Sequence, residues 1–406
     1  MKLLATCVAL FLGFQAAAAK PLGGHPPHPR GPSYQYQTCQ AIKSGHQNPL
    51  EGCPAGTVYV SGTDKKAKFQ SVQAAIDHVA HKKEATILIG GGVYHEVINV
   101  TSSGSLTLLG QTAQPGNWSA NLVTIWNSSA IPMLPVGADD ADTVTFTVAP
   151  SRAAALIGAG FYGAPIVNDT WGSPDFKAYN LNIENRYANY SAGQALALGV
   201  SYSNASFYGC AFRSYQDTVY AGRFASVYFE GCEVAGQTDF LFGFGTLFIE
   251  NSTIASRGAG GGITAWKGTP DGYAGVYNNT YGLYVHNSQL VKHGFEQSPD
   301  ANATLNIVGK CALGRPWNNM SRTVFEGCYM GDHIQPNGFI PWLPTTLNIS
   351  TVYYAEFGSY GPGYNASLRE ASEHLGTTAE GESLWNLSTV FKGIPKWIDR
   401  TWKSVV

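Results

Sequence analysis

Unlike residues return together at one fixed interval in the middle of this chain. Phe207 and Phe229, Gly209 and Gly231, and Cys210 and Cys232 each lie 22 residues apart. A shared offset of this kind means that one structural unit repeats and that each side chain returns to the same place within it. The underlying phrase is an apolar residue, a small residue or cysteine, and a second apolar residue. It runs through FYGCAF (207–212), FEGCEV (229–234), IENSTI (249–254), VHNSQL (285–290) and FEGCYM (325–330), with an earlier copy, YNLNI, ending at Ile183. The copies end 29, 22, 20, 36 and 40 residues apart. A period near 20 to 22 with longer excursions fits a parallel β-helix, in which one coil is one rung and each excursion is a loop. An antiparallel sandwich also strings short strands on Gly and Asn turns, but it does not return side chains at a fixed offset. The expectation is therefore an all-β, right-handed parallel β-helix. The 47 glycines, 12% aromatic and only 13% charged residues suit tightly turned β-structure.

The same interval carries polar residues. Gln194 and Gln216 are 22 apart, as are Asp217 and Asp239. Equal positions on adjacent parallel strands stack about 4.8 Å apart. Two carboxyls that close cannot both ionise cheaply, so one keeps its proton and the other needs a cation. That is the requirement for one acid and one nucleophile. Both aspartates sit in apolar phrases, YQDTVY (215–220) and TDFLF (238–242), which implies partial desolvation. The amides of Gln194 and Gln216 can donate to an oxyanion, and Arg315 can fork a carboxylate. Arg315 lies in LGRPW (313–317), where Trp317 offers a flat face suited to stacking on a sugar ring. There is no G-x-S-x-G phrase for a serine nucleophile. Neither C-x-x-C nor H-E-x-x-H occurs, so no zinc or other metal is expected, and no cofactor.

The N-terminus reads as a signal peptide over residues 1–19, with Lys2, an apolar run over residues 3–14, and Ala17 and Ala19 in A-x-A spacing. That run is shorter than the roughly 20 residues needed to span a bilayer, so a secreted protein without a membrane partner is expected. N-x-S/T sequons recurring from Asn99 to Asn386 point to a secretory glycoprotein. Removing the signal removes Cys7 and leaves six cysteines; Cys39 with Cys53 would close a short loop, whereas Cys210 and Cys232 could bridge rungs or stack as free thiols. A net charge of −2 provides no basic field for nucleic acid. Residues 20–60 read as a Pro/Gly-rich leader and N-terminal loop, extended to about residue 36, and 61–406 as a single β-helical domain, monomeric by default. Helical spacing in FQSVQAAIDHVA (69–80) predicts a cap at the start of the coil. The rungs fade after about Tyr354 into what reads as a helical, aromatic-rich C-terminal cap.

The phrases GQALAL (193–198), YQDTVY, TDFLFG (238–243) and LGRPW resemble the pectin methylesterase family in order and spacing. VQAAI with GGVYHE upstream, and SRTVFEGCYMGDHI with GFIPW downstream, are similar to that family too. The resemblance covers residues 69–363 and implies a right-handed parallel β-helix that hydrolyses methyl esters of galacturonate units in pectin. Carried over by motif, Asp239 attacks the ester carbonyl, while Asp217 protonates methanol and then activates water. Gln194 and Gln216 hold the oxyanion, Arg315 orients ionised Asp239, and Tyr220, Phe242 and Trp317 line the substrate groove. Methylated polygalacturonate is the implied partner. The chain departs from the family in having Gly199 after the Gln-Ala phrase and TAWKG (264–268) where many members have Thr-Ala-Gln-Gly-Arg. The inhibitor-like pro-region of many plant members has no counterpart, so a fungal or other microbial type is expected.

Overall fold

A computed structural model describes residues 32–160, 163–167, 171–268, 280–294, 305–342, 347 and 349–404. The expected signal peptide and most of the Pro-rich leader, at residues 1–31, lie outside the described residues, as do the sequons at Asn168, Asn278, Asn302 and Asn348.

Every named strand pairing is parallel, and every strand pairs with its counterpart one rung away. Three sheets of 11, 8 and 7 strands result among the described residues, stacked as the three walls of a coil. Ser226–Glu230 on the longest sheet lies between Asn204–Tyr208 and Thr246–Glu250. Glu233–Gly236 on the second sheet lies between Ala211–Arg213 and Thr253–Ser256. Leu241–Gly243 on the third lies between Val219–Ala221 and Gly262–Trp266.

The repeated phrase is a corner. From strand Phe176–Tyr179 to strand Tyr353–Phe357, the residue leaving each strand of the long sheet is Asn180, Gly209, Gly231, Asn251, Asn287, Gly327 or Gly358, all with φ between 46° and 64°. Gly and Asn are the residues that tolerate this left-handed turn. The next residue then points inward, which is why Leu181, Cys210, Cys232 and Cys328 are all fully buried. Cys210, Cys232, Cys311 and Cys328 are free thiols, and Cys39 is bonded to Cys53. Inside the coil, phenylalanines pack at a tilt or edge to face, with ring centroids 5.6 Å apart for Phe176–Phe207 and 5.3 Å for Phe207–Phe229 on adjacent rungs, and 5.8 Å for Phe146–Phe176 between two walls. Helix Val72–Val79 closes the N-terminal end by burying Val72, Ala75, Ile76 and Val79 in that interior. Ser71 caps it, and the Glu96 carboxylate accepts from the Val72 and Gln73 N–H groups, matching the partial positive charge of a helix start.

Two expectations about the chain ends need correcting. Extended leader structure was expected to residue 36, yet Pro32–Gln40 is helical, and strand Val58–Val60 already belongs to the long sheet. The helix is held because Cys39 is fully buried and the Gln40 amide donates to Gly110 O at 2.9 Å and Asn180 Oδ1 at 3.0 Å. At the other end, the stretch read as a helical cap contains strands Tyr353–Phe357 and His374–Gly376. Helices Thr378–Trp385 and Leu387–Val390 follow, and they flank the long sheet instead of plugging the coil. The reason is the sheet's outer face, a column of Tyr179, Tyr208, Tyr228, Phe248 and Tyr284 that water would otherwise meet. Trp397, Ile398 and Trp402 cover it, with the Asp399 N–H donating to Tyr208 Oη and Tyr179 Oη donating to the Asp399 carboxylate.

Candidate active site

The seven-stranded sheet carries the residues singled out by spacing. Gln216 pairs with Thr238, and Val219 with Leu241, so Asp217 and Asp239 stand opposite each other on adjacent rungs. Both sit in left-handed turns, at φ 61° and 49°, immediately before their strands. Asp adopts this conformation more readily than most residues, and its recurrence at consecutive rungs is backbone strain held in place by the coil. Asp217 is 8% exposed and Asp239 6%.

The glutamines obey the same offset through a local irregularity. Ala195 N donates to Gln216 O at 3.2 Å, which keeps Gln194 level with Gln216. Ala197 and Leu198 then both donate to Thr218 O, at 2.9 and 3.1 Å, and the offset falls to 21 from Leu198 onward. This is a bulge, a common device for re-aiming side chains beside a site. Both glutamines are half-buried. Ser191 Oγ donates to Gln216 Oε1 at 2.9 Å, which leaves the amide NH2 as the free donor end.

Arg315 comes from strand Ala312–Pro316 and forks Asp239. Nε lies 3.0 and 3.2 Å from the two carboxylate oxygens, and Nη2 lies 2.5 Å from Oδ2. The guanidinium also sits over Trp342, with its carbon 4.1 Å from the ring centroid. The sheet register places Gly199, Tyr220, Phe242, Ala265 and Arg315 in one outward-facing column.

The two carboxyls are electrostatically unequal. Burial, then the charges of Asp239 and Asp140, push Asp217 well above the usual carboxylate range, against a smaller pull from Arg315. Burial also raises Asp239, but the bonds from Arg315 and a backbone contact from Gly262 oppose it. Asp239 is therefore the member that ionises first, and Asp217 holds its proton longer.

The aromatic residues divide. Tyr220 and Phe242 are each 2% exposed, packed with Val144, Ile157 and Leu196, while Trp317 keeps part of its surface open. Val144 and Ile157 belong to the two excursions on either side of strand Phe146–Val148, which fold against the rings. Three further neighbours escaped the sequence analysis. Ser191 and Asp140 lie in aperiodic excursions and carry no spacing signal. Trp342 closes the phrase GFIPW, which was noted only as part of the resemblance. No group of three His, Cys, Asp or Glu able to hold a metal occurs among the described residues.

The fold and the relatives that share it define a carboxylic ester hydrolase built on a right-handed parallel β-helix. The chain matches the pectinesterase family over residues 140–382, more than half its length, and belongs to that family. It is 28% identical to a probable pectinesterase A from Neosartorya fischeri over 362 residues, covering 89% of this chain and 93% of the relative. It is 29% identical to pectinesterase A from Emericella nidulans over 320 residues, 78% of this chain and 82% of that one. The structure resembles the deglycosylated pectin methylesterase from Aspergillus niger with a TM-score of 0.67 at 25% identity, covering 86% of this chain and 98% of that one. The pectin methylesterase from carrot shares the fold, with a TM-score of 0.64 at 22% identity over 84% of this chain and 94% of that one.

Proposed function

We propose that this chain hydrolyses the methyl esters of pectin, with Asp239 as nucleophile and Asp217 as general acid and base. The observation that carries the assignment is the asymmetry of the pair: Arg315 forks Asp239, and among the described residues no side-chain hydrogen bond reaches the more strongly raised Asp217. The ionised Asp239 oxygen attacks the ester carbonyl carbon, and the carbonyl electrons move onto oxygen. Amide N–H groups of Gln194 and Gln216 hold that oxyanion. The tetrahedral centre collapses, breaking the bond to methoxy oxygen, which takes the Asp217 proton and leaves as methanol. Asp217, now a carboxylate, removes a proton from water. The hydroxide equivalent attacks the anhydride at the substrate carbonyl and returns Asp239 as a free carboxylate beside a galacturonate product. Trp317 supplies the stacking face for a sugar ring, and Tyr220 and Phe242 back it from beneath.

The expected setting is extracellular. Residues 1–19 serve as a signal peptide, and among the exposed described sequons Asn99 and Asn189 are best placed to carry glycans, since the side chains of Asn251 and Asn365 are engaged with Glu230 and Ser367. No helix among the described residues is long and apolar enough to cross a membrane. We expect a monomer without cofactor or metal. The decisive experiment measures methanol release from highly methylated citrus-type pectin by the wild type and Asp239→Asn. Turnover by the wild type with loss of about four orders of magnitude in the variant is expected, since a carboxamide is a poor nucleophile. Equal rates would sink the mechanism.

A further inference from the structure

Lys267 belongs to the TAWKG phrase that departs from the family pattern, and its surroundings give it a role. Gly243 pairs with Trp266, and Trp266 with Pro316. The ladder continues one residue further, with Lys267 N donating to Gly243 O at 2.9 Å and Trp317 N to Trp266 O at 3.1 Å. Phe244, Lys267 and Trp317 therefore occupy successive rungs of one column, next to the column holding Phe242, Ala265 and Arg315. The Lys267 ammonium stands 3.6 Å from the Trp317 ring centroid and 5.1 Å from that of Phe244. It donates to Gly160 O, and the whole residue is only 2% exposed.

An ammonium buried this way needs compensation. Two aromatic faces and a carbonyl supply it, and a cation on a desolvated indole is the strongest case of this attraction. Arg223 braces the other member of the cluster: its guanidinium carbon is 5.1 Å from the Phe244 centroid, and Nη2 donates to Ala164 O at 2.9 Å. Arg223 is also the charged group that acts on Lys267, and burial together with that charge lowers the amine to about 8. The Lys267 ammonium bonds Gly160 O, whereas Asp239 takes its ion pair from Arg315.

We infer that Lys267 is a positioning residue that fixes the Trp317 indole as the platform on which a sugar ring of the substrate stacks. One face of the indole is held by the ammonium, the ammonium is held by Gly160, and the ring also rests against Phe244 with centroids 5.6 Å apart. The inference rests on the pectin-esterase reading. It predicts a defect in substrate binding without an equal defect in chemistry.

The test compares kcat and KM for methanol release from methylated pectin in wild type, Lys267→Met and Lys267→Arg, with thermal melts alongside. Methionine keeps the length and loses the charge, so KM rises about five-fold while kcat changes by less than about two-fold. Arginine restores a KM within about two-fold of wild type, because it keeps a cation for the indole. An unchanged KM in Lys267→Met, or a fall in kcat alone, overturns the role. If Lys267→Met does not fold, Lys267→Arg decides: a five-fold rise in KM overturns the role, and a near wild-type value supports it. Absence of methanol release by the wild type would instead refute the esterase reading, so the two failures are distinguishable.

Discussion

Arg315 reaches Asp239 across an intervening strand. The arginine's strand pairs with Gly262–Trp266, which in turn pairs with the strand that follows Asp239, and the residue level with Arg315 on the middle strand is Ala265. A methyl group at that point leaves a channel for the guanidinium, so the smallness of Ala265 is a condition of the ion pair.

Ala265→Leu therefore breaks the fork without touching either partner. An isobutyl group at a 2% exposed position displaces Arg315, and kcat falls by about two orders of magnitude. Steady-state kinetics together with a thermal melt separate this from unfolding, since the leucine packs against Phe242 on the outer face.

Arg315→Met tests the same pair through pH. The bonds from Arg315 lower the Asp239 pKa against the effect of burial, so removing the arginine raises it. Activity that needs ionised Asp239 is then lost at higher pH, and the acidic limb of kcat/KM moves up. A limb that stays in place would mean that Arg315 does not govern that ionisation.

Asp217→Asn trades activity for stability. The Asp217 pKa is raised on folding, so the folded chain holds a proton that the unfolded chain releases between the ordinary carboxylate value and the raised one. Stability falls as pH rises through that window. At pH 7 the asparagine variant, which has no proton to retain, melts about 2–5 °C above wild type. Near pH 3 the gain vanishes. Melting curves at the two pH values check both the sign and the window.

Asp140→Asn reports on the acid. Burial and the neighbouring Asp139 raise Asp140 to about 6, and its negative charge helps to raise Asp217. Above about pH 6 the wild type has that charge and the variant lacks it, so the Asp217 pKa is lower in the variant. The alkaline limb of kcat/KM moves to lower pH, whereas below pH 6 the two profiles coincide. Parallel profiles over the whole range would exclude the coupling.

The rungs were legible in the sequence because columns of like residues at one offset leave a periodic trace. Gly209 with Gly231 and Cys210 with Cys232 mark the corner, and Asp217 with Asp239 mark the site, all across one pair of neighbouring rungs where no excursion intervenes. Arg315 could not be reached in this way. It pairs with Ala265 at an offset of 50 residues, enlarged by two excursions, and the offset hides the register. Spacing was equally silent on Tyr208 and Tyr228, which are as apolar in pattern as the interior phenylalanines although they face outward. Their cover comes from Trp397 and Trp402, residues distant in sequence with no periodic relation to the rungs. Asp140 and Ser191 sit in excursions, where only the folded chain shows what they approach.

The cover of the long sheet also sets an order of events. Tyr179, Tyr208 and Tyr228 emerge from the ribosome well before Trp397, Asp399 and Trp402 are synthesised. Rungs that stack on their neighbours alone thus keep an apolar flank uncovered until Trp397, Ile398 and Trp402 are in place. Closure of the long sheet's outer face thus depends on residues made after every aromatic they cover.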